Sequence, residues 1–500
     1  MNLIDPIRRQ AQAFPLRPAV VTPEGTMSYG DLWSDVAVLA TNLRDQGVRR
    51  GQCVAITGIR SRGRLLLVLA LAHMGAVSTA VASATTPVQR QQLFATNKAV
   101  AWVTRDTAGD VVNAPRQIDP AALFKALPAT AERVPMESGL HDELWRIALS
   151  SGTTGSSKCI PWTHGQGAAL QRLSLDIYPS GPRDRLAVFA DLNIGLALGH
   201  AMQQLASGGA VIFPASLKPA DIFDALRRLS PTRILTTPSM AAAMVTHAAG
   251  GNEMPATQGV LAFMLGGSAL PPKLRADIEA LFCPNIVVMY GSTEMGTTAR
   301  TDLRTQLEHP SAAGRMVPWV DAQAVDAADN PLPAGETGLL RFRSPAMASG
   351  YLDSPEATAR AFKSGWYYPG DTGSVTTHGI LVLAGRQDDI LNLNGNKIDP
   401  SQLEAVLNTH PEVADSAVTA LRMQDGRAVL GLIVVPARPG AAVDGDAINA
   451  FLVNALGRQH DITTVLAVPQ LPKTPAGKLA RDQLPAVVRE ALAARAPKAG

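Results

Sequence analysis

The sequence predicts an α/β protein, with a large N-terminal domain of parallel-rich sheets covered by helices and a small α+β C-terminal domain. The first observation is the length of 500 residues, which exceeds what one hydrophobic core usually accommodates. The second is an alternation of strand-like and helix-like runs through the middle of the chain. The third is a change of pattern near Gly385. We therefore place the two domains at residues 1–384 and 385–500.

Buried apolar runs predict strands in the middle of the chain, at residues 186–190, 210–213, 233–237, 260–265 and 285–290. Pro238 and the pair Pro271-Pro272 follow two of them and fit the first turn of a helix. Continuous apolar strands that alternate with helices favour parallel sheets. Ligands bind beyond the carboxyl ends of such strands, which is where GGS (266–268) and GSTE (291–294) fall.

The most apolar segment, residues 65–84, predicts a buried helix and a strand, with Gly75 at the helix end, rather than a membrane span. In the C-terminal region, Asp399 and Pro400 predict the start of a helix that ends at His410-Pro411. Strand-like runs at 415–421 and 429–435 follow, and the chain finishes in a helix rich in alanine and arginine.

The composition, 46% hydrophobic and 17% charged, is that of a globular protein. The net charge of +3 comes without a basic stripe, which argues against a nucleic-acid partner. Three cysteines lie far apart and lack metal-ligand spacing, which argues against a zinc site or a disulfide framework. The N-terminus has no signal-peptide pattern, so we expect a cytoplasmic protein without a membrane span.

Residues 150–158, SSGTTGSSK, combine hydroxyls, glycines and one lysine. Glycines let the backbone approach an anion, successive N–H groups surround it, and a lysine adds charge, so the stretch indicates a phosphate site. It is not a P-loop, because Ser157 precedes Lys158 and the glycines are too close together. A polar surface loop is the alternative.

Four further motifs follow in order: YGSTE (290–294), WYYPGDTG (366–373), GRQDDILNLNGNKI (385–398) and PKTPAGK (472–478). Together with SSGTTGSSK they resemble the adenylate-forming superfamily of acyl-CoA synthetases, adenylation domains and luciferases, nearest to the aryl- or acyl-CoA ligases. The resemblance implies an enzyme that uses ATP to convert a carboxylic acid to an acyl-adenylate, releases pyrophosphate, and passes the acyl group to a thiol.

The resemblance also assigns roles to residues. Thr293 would contact the α-phosphate, Glu294 would help to hold Mg²⁺, and Lys478 would bridge the substrate carboxylate and the α-phosphate. Tyr290 would face the adenine, and Asp371 and Arg386 would bind the ribose. The full predicted ATP-binding set is Ser151, Gly152, Thr153, Thr154, Gly155, Lys158, Gly267, Tyr290, Asp371 and Arg386.

The resemblance further implies that the small domain rotates between the two half-reactions. Asp388 would be the hinge, within residues 386–389, and Gly395 would face the tunnel for the thiol. The chain departs from the family where Ser157-Lys158-Cys159 replaces the usual Pro-Lys-Gly. Asn392 and Asn394 stand where many relatives have lysines.

The predicted acid pocket follows the strand that ends near residue 190. Counting back from Gly208-Gly209 puts Asn193 at the substrate-facing position, where relatives that take amino acids usually have an aspartate. A register two residues earlier would put Asp191 there instead. The other predicted walls are Met264, Gly266, Met289, Gly291 and Met295, which are apolar, small or adaptable. We favour an aryl acid, with a short or medium aliphatic acid as the alternative and an amino acid last.

The acceptor thiol is predicted to arrive from a separate molecule. Coenzyme A is favoured because GRQDDILNLNGNKI resembles CoA-forming relatives, and the phosphopantetheine of a free acyl carrier protein is the alternative. A non-catalytic nucleotide-binding protein of the same fold and a generic ATPase are two further hypotheses.

Overall fold

A computed structural model of the chain describes residues 1–83, 85–105, 111–127, 132–150, 158–251, 255–310, 312–389, 391–393, 396–422, 428–438, 440–456, 462–474 and 478–495. In chain order, its strands are β1 (Pro18–Thr22), β2 (Gly25–Ser28), β3 (Cys53–Ile56), β4 (Val77–Ala80), β5 (Ala99–Val103), β6 (Arg116–Ile118), β7 (Leu144–Leu149), β8 (Cys159–Thr163), β9 (Arg185–Phe189), β10 (Ala210–Ile212), β11 (Arg233–Thr236), β12 (Ala262–Gly266), β13 (Ile286–Ser292), β14 (Gly296–Arg300), β15 (Gly314–Met316), β16 (Asp321–Val325), β17 (Gly338–Arg343), β18 (Phe362–Lys363), β19 (Trp366–Tyr367), β20 (Asp371–Val375), β21 (Ile380–Arg386), β22 (Leu391–Leu393), β23 (Asn396–Ile398), β24 (Val413–Arg422), β25 (Ala428–Pro436) and β26 (Ile462–Ala467).

The helices are α1 (Asp5–Ala13), α2 (Tyr29–Asp45), α3 (Ser61–His73), α4 (Pro87–Thr96), α5 (Pro120–Leu123), α6 (His164–Ile177), α7 (Gly195–Ala206), α8 (Pro219–Leu229), α9 (Pro238–Ala249), α10 (Pro272–Leu281), α11 (Leu303–Glu308), α12 (Pro355–Ala361), α13 (Pro400–Leu407), α14 (Gly445–Leu456) and α15 (Leu484–Arg495). Several begin with proline at one of the first two positions, where a backbone N–H would have no partner within the helix. Short 3₁₀ turns lie at Gln387–Asp389 and Arg481–Gln483.

A large sheet runs through the first part of the chain in the order β18-β19-β17-β20-β21-β15-β14-β13-β12-β11-β9-β10-β1-β2, with β16 beside β17. The stretch from β13 through β1 is parallel, and the rest is antiparallel. Successive residues of the parallel strands face opposite sides. Phe189 packs in the core on one face and Val188 in the core on the other. Both faces are buried, which explains why these strands read as continuous apolar runs.

A second sheet, β6-β5-β3-β4-β7-β8, is parallel except for the pair of β7 and β8. The buried helix predicted within residues 65–84 is α3, and the predicted strand is β4. Gly75 lies between them at φ +68°, a left-handed conformation that glycine adopts without strain. Within the described parts of the chain, no helix combines the length and the apolar character needed to cross a membrane.

The C-terminal region folds on its own small core. Strands β24, β25 and β26 form one sheet, and β22 pairs with β23. Asp399 caps α13 as predicted, since its carboxylate accepts the backbone N–H of Ser401 at 2.9 Å. The helix ends at Leu407, three residues before the predicted stop. The pattern did not identify β26, whose pairing with β25 is parallel.

These elements confirm the predicted fold class. The five strands predicted between residues 186 and 290 correspond to β9 to β13, and every observed bound lies within two residues of the predicted one. The chain leaves the large sheet after Arg386, the last residue of β21. The division into domains at residue 385 stays a prediction.

Candidate active site

The carboxyl ends of β9, β12 and β13 lie along one edge of the large sheet, because these strands run parallel within it. Gly266 ends β12 and is paired with Met289 of β13. A Cβ on Gly266 would lie 2.7 Å from the side chain of Leu196, so the start of α7 packs directly against this glycine. The close approach brings the loop before α7, which carries Asn193, to the same edge.

Asn193 is held in that loop by two backbone contacts. Its N–H donates to the Asp191 carboxylate at 2.8 Å, and its carbonyl accepts from Nη2 of Arg146 at 2.8 Å. Its side-chain Oδ1 is buried and has no hydrogen-bond partner among the described residues. A buried amide oxygen without a partner is costly, so this atom is suited to accept from a ligand.

The other predicted pocket residues lie on β12 and β13 or in the turn after β13. Met264, Met289 and Met295 are 3%, 5% and 1% exposed and belong to one apolar cluster. Gly291 must be glycine, because a Cβ there would lie 2.0 Å from the carbonyl oxygen of Gly296.

Tyr290, Asp371 and Arg386 form one hydrogen-bonded group. Asp371 and Arg386 are cross-strand partners on β20 and β21, and Nη1 of Arg386 lies 3.1 Å from the Asp371 carboxylate. The Tyr290 hydroxyl donates to the other carboxylate oxygen. Burial raises the pKa of Asp371, whereas Arg386 and the Tyr290 hydrogen bond lower it. Burial and the Asp371 charge raise the pKa of Tyr290, which keeps it a donor.

Glu294 lies in the turn between β13 and β14 and is 5% exposed. The Tyr351 hydroxyl donates to Oε1 of Glu294 at 2.9 Å. Burial, and then the negative charge of Glu294, raise the pKa of both Tyr351 and Tyr367. Nζ of Lys158 lies 4.9 Å from the centre of the Tyr351 ring, so its charge is brought close to the glutamate.

Lys478 is hydrogen-bonded to Thr474 in the C-terminal region. Thr474 donates its N–H to the Lys478 carbonyl at 2.7 Å, and the Lys478 N–H donates to the Thr474 hydroxyl at 3.1 Å. Burial and the positive charge of Arg386 lower the pKa of Lys478, and the carboxylates of Asp371 and Glu294 act in the opposite direction. The lysine is therefore partly buried among residues of the large sheet.

Six predicted residues lie outside the described part of the chain: Ser151, Gly152, Thr153, Thr154, Gly155 and Gly395. Ser150 and Lys158 close the base of the predicted phosphate loop, since the Ser150 N–H donates to the Lys158 carbonyl at 3.0 Å. Cys159 is 3% exposed and packs into the core behind the second sheet.

The remaining predicted positions are in turns. Thr293 is half-buried next to Glu294. Gly267 has φ +107°, a conformation that side chains rarely adopt. The backbone of Asp388 lies in a 3₁₀ turn directly after β21.

Four residues at or near the site were not predicted from the sequence: Tyr351, Tyr367, Arg146 and Arg64. Tyr367 stands inside the motif WYYPGDTG, which was a usable signal. The others have no local signal, because their partners are distant in the chain. Tyr351 is 57 residues from Glu294, and Arg146 is 47 residues from Asn193.

The chemistry of this arrangement suits a nucleotide with a magnesium ion. No group of three or more histidine, cysteine, aspartate or glutamate side chains that could cage a metal occurs within the described ranges. Glu294 supplies a single buried carboxylate. Magnesium is usually bound by one or two carboxylates, substrate phosphates and water, so the fit is good.

Comparison with known proteins identifies the family. A family model described as AMP-binding enzyme matches residues 7–352, and one described as AMP-binding enzyme C-terminal domain matches residues 402–478. The chain belongs to the AMP-binding enzyme family. The predicted family and the prediction of an enzyme are both confirmed.

Individual proteins agree with this assignment. The chain is 27% identical over 495 residues to a 3-hydroxybenzoate–CoA ligase of Aromatoleum sp. (strain CIB), covering 95% of this chain and 94% of the relative. Its fold matches that of an O-succinylbenzoate coenzyme A synthetase from Bacillus subtilis, solved with ATP and magnesium ion, with a TM-score of 0.84 at 20% identity over 96% and 99% of the two chains. The anthranilate CoA ligase AuaEII, solved with anthranoyl-AMP, gives a TM-score of 0.84 at 21% identity over 99% and 98%.

Proposed function

We propose that this protein is an acid–thiol ligase that activates an aryl carboxylic acid with ATP, releases pyrophosphate, and transfers the acyl group to coenzyme A. One observation carries the proposal. Lys478, from the C-terminal region, lies within electrostatic reach of Asp371, Arg386 and Glu294, which belong to the large sheet. A cation, a pair of ribose-binding groups and a magnesium-binding carboxylate thus converge on one place.

At the nucleotide end, Asp371 accepts from the ribose hydroxyls. Tyr290 and Arg386 hold its carboxylate in position and oppose its protonation. The ring of Tyr290 faces the adenine. Lys478 donates to the oxygens on which charge builds as the acid attacks the α-phosphate, and Thr293 donates from the other side. Preorganised donors of this kind stabilise the transition state because they need no reorientation during the reaction.

Glu294 would hold the magnesium ion, which would supply charge neutralisation on the phosphates. Tyr351 keeps the Glu294 carboxylate oriented through its hydrogen bond. The ammonium of Lys158 and the loop of residues 151–157 bind the leaving phosphates.

The proposed preference for an aryl acid rests on Asn193. Its unpartnered Oδ1 can accept from a hydroxyl or amino substituent on an aromatic ring, and an amide carries no charge to pair with an α-ammonium. The methionines Met264, Met289 and Met295 provide an apolar, adaptable lining. The similarity to a 3-hydroxybenzoate–CoA ligase supports the same substrate class.

Coenzyme A is the proposed acceptor, and the phosphopantetheine of a free carrier protein is the alternative. We propose that the region after residue 384 rotates about Asp388 once the acyl-adenylate has formed, which removes Lys478 and opens a tunnel past Gly395. A cytoplasmic location is part of the same proposal.

The test is pyrophosphate release measured across a panel of acids that includes hydroxybenzoates, benzoate, hexanoate and phenylalanine. We expect release that requires ATP, magnesium and a hydroxybenzoate, followed by thioester formation with coenzyme A. Release that does not depend on any acid would identify a generic ATPase, and nucleotide binding without release would identify a non-catalytic protein. Preference for hexanoate would leave adenylation intact and overturn the aryl assignment.

A further inference from the structure

A small cavity lies at the carboxyl edge of the second sheet, where the parallel strands β3 and β4 end. Arg64 of α3 and Arg146 of β7 line it, together with Ser78, Thr79 and Leu198. It leaves about 10 Å³ for the centre of a water-sized particle, which is room for one water or one monatomic ion. The carboxyl edge of parallel strands is where α/β proteins bind ligands.

The two arginines are unusually buried for charged residues, at 4% exposure for Arg64 and 6% for Arg146. Nη2 of Arg146 donates to the carbonyl of Asn193 at 2.8 Å. Arg64 has no side-chain hydrogen bond or ion pair recorded among the described residues. Burial, and then the positive charge of Arg64, lower the pKa of Arg146 to about 10, and burial lowers the pKa of Arg64. The two guanidinium groups therefore repel each other in a site poor in water.

The charge around the cavity does not balance. Within the described part of the chain, the charged group that acts on Arg64 is the carboxylate of Asp191, and the one that acts on Arg146 is Arg64 itself. Asp191 is exposed and also accepts the N–H of Asn193. Two buried positive charges thus face one solvated negative charge. Buried charges require compensation, so one further negative charge would balance the site.

The hydroxyls of the lining residues are already engaged. The Ser78 hydroxyl donates to the Trp145 carbonyl at 3.3 Å, and the Thr79 hydroxyl lies on the opposite face of β4, where it accepts from the Asn97 amide at 3.1 Å. The donors of the site are therefore the two guanidinium groups, which favour an acceptor that has no proton of its own. A water molecule is a poorer occupant, because it brings no charge.

We propose that this cavity binds a small monovalent inorganic anion, with chloride as the probe of that class. The anion lies between Arg64 and Arg146 and screens their repulsion. Arg146 also donates to the Asn193 carbonyl, so its guanidinium group links the anion to the loop that carries Asn193. The site is separate from the residues assigned to ATP.

A direct test is a crystal of the full-length protein soaked in sodium bromide. We expect an anomalous difference peak between the two guanidinium groups, because bromide replaces chloride and scatters anomalously. The absence of a peak there at high bromide concentration would leave water as the occupant and would overturn the proposal.

A second test compares thermal unfolding in sodium chloride and sodium gluconate at equal ionic strength, since gluconate is too large for the cavity. We expect a saturable rise of about 2 °C in chloride over gluconate for the unmodified protein. Arg64→Met should abolish this difference, since methionine fills similar space without charge. Arg62→Met changes an exposed arginine of the same helix and should retain it.

A chloride effect of equal size in Arg64→Met would place the stabilising anion elsewhere and would also refute the site. If Arg64→Met does not fold, the bromide peak in the unmodified protein decides. Neither measurement uses enzyme activity, so the outcome is independent of the proposed function.

Discussion

Replacing Lys478 with alanine tests the proposed mechanism most directly. The ammonium is partly buried beside Arg386, Asp371 and Glu294, so alanine removes a cation from a poorly solvated place. If Lys478 stabilises charge only during adenylation, the variant should lose the first half-reaction. It should still transfer the acyl group of a synthetic acyl-adenylate to coenzyme A, because that step has no need of the lysine.

The expected loss of adenylation rate follows from the role of Lys478 as a donor to the transition state. Removing one preorganised donor from a transition state costs about 2.7–4 kcal/mol, so the rate of pyrophosphate release should fall by about 10²–10³-fold. Lys473 is a matched control in the same C-terminal region. Its Nζ pairs with Asp415 at 2.6 Å near the surface, and such pairs contribute about 0.2–1 kcal/mol to stability. Lys473→Ala should therefore leave both half-reactions near the level of the unmodified protein.

The assay measures pyrophosphate release for adenylation and thioester formation from the synthetic adenylate for transfer. The pH dependence adds a check on the charge. Burial lowers the pKa of Lys478, so the active ammonium is lost as pH rises through that lowered value, and adenylation should fall on the alkaline side. Lys478→Arg stays charged and should lack this fall. Equal loss of both half-reactions in Lys478→Ala would indicate a folding defect, and retained pyrophosphate release would refute the reasoning.

Three further changes test other parts of the site. Asn193→Leu removes the unpartnered acceptor, and a hydrogen bond to it is worth about 1–3 kcal/mol. The preference for hydroxybenzoate over benzoate should therefore fall by about 10-fold or more. An unchanged ratio of kcat/KM for the two acids would place Asn193 outside the pocket. Tyr290→Phe keeps the ring but removes a donor to a charged acceptor, worth about 1.5–3 kcal/mol, so the KM for ATP should rise by about 10-fold or more. Tyr29→Phe is its control, because the buried Tyr29 hydroxyl lies within hydrogen-bond distance of the Leu205 and Gly209 carbonyls, away from the site. An equal rise in that variant would point to general destabilisation. Asp388→Pro should still release pyrophosphate and fail to form thioester, and normal thioester formation would exclude Asp388 as the hinge.

Much of the fold could be predicted from the sequence because its signals are local. The apolar runs of β9 to β13 reflect burial on both faces, and Asp399 before Pro400 fixes the start of α13 through a contact two residues away. The same pattern put Gly267 and Glu294 just past the carboxyl ends of two neighbouring strands. Such features depend on a few adjacent residues, so their pattern is visible without knowing the path of the chain.

The tertiary structure alone decided which distant residues meet. Tyr290 donates to Asp371 across 81 residues. The charge of Asp371 acts on Lys478 because the C-terminal region packs against β21 of the large sheet. Arg64 and Arg146 line one cavity only because α3 packs against the second sheet, to which β7 belongs. Contacts of this kind follow from strand order, register and helix packing, which are set by the burial of whole surfaces and leave no periodic trace at the residues concerned.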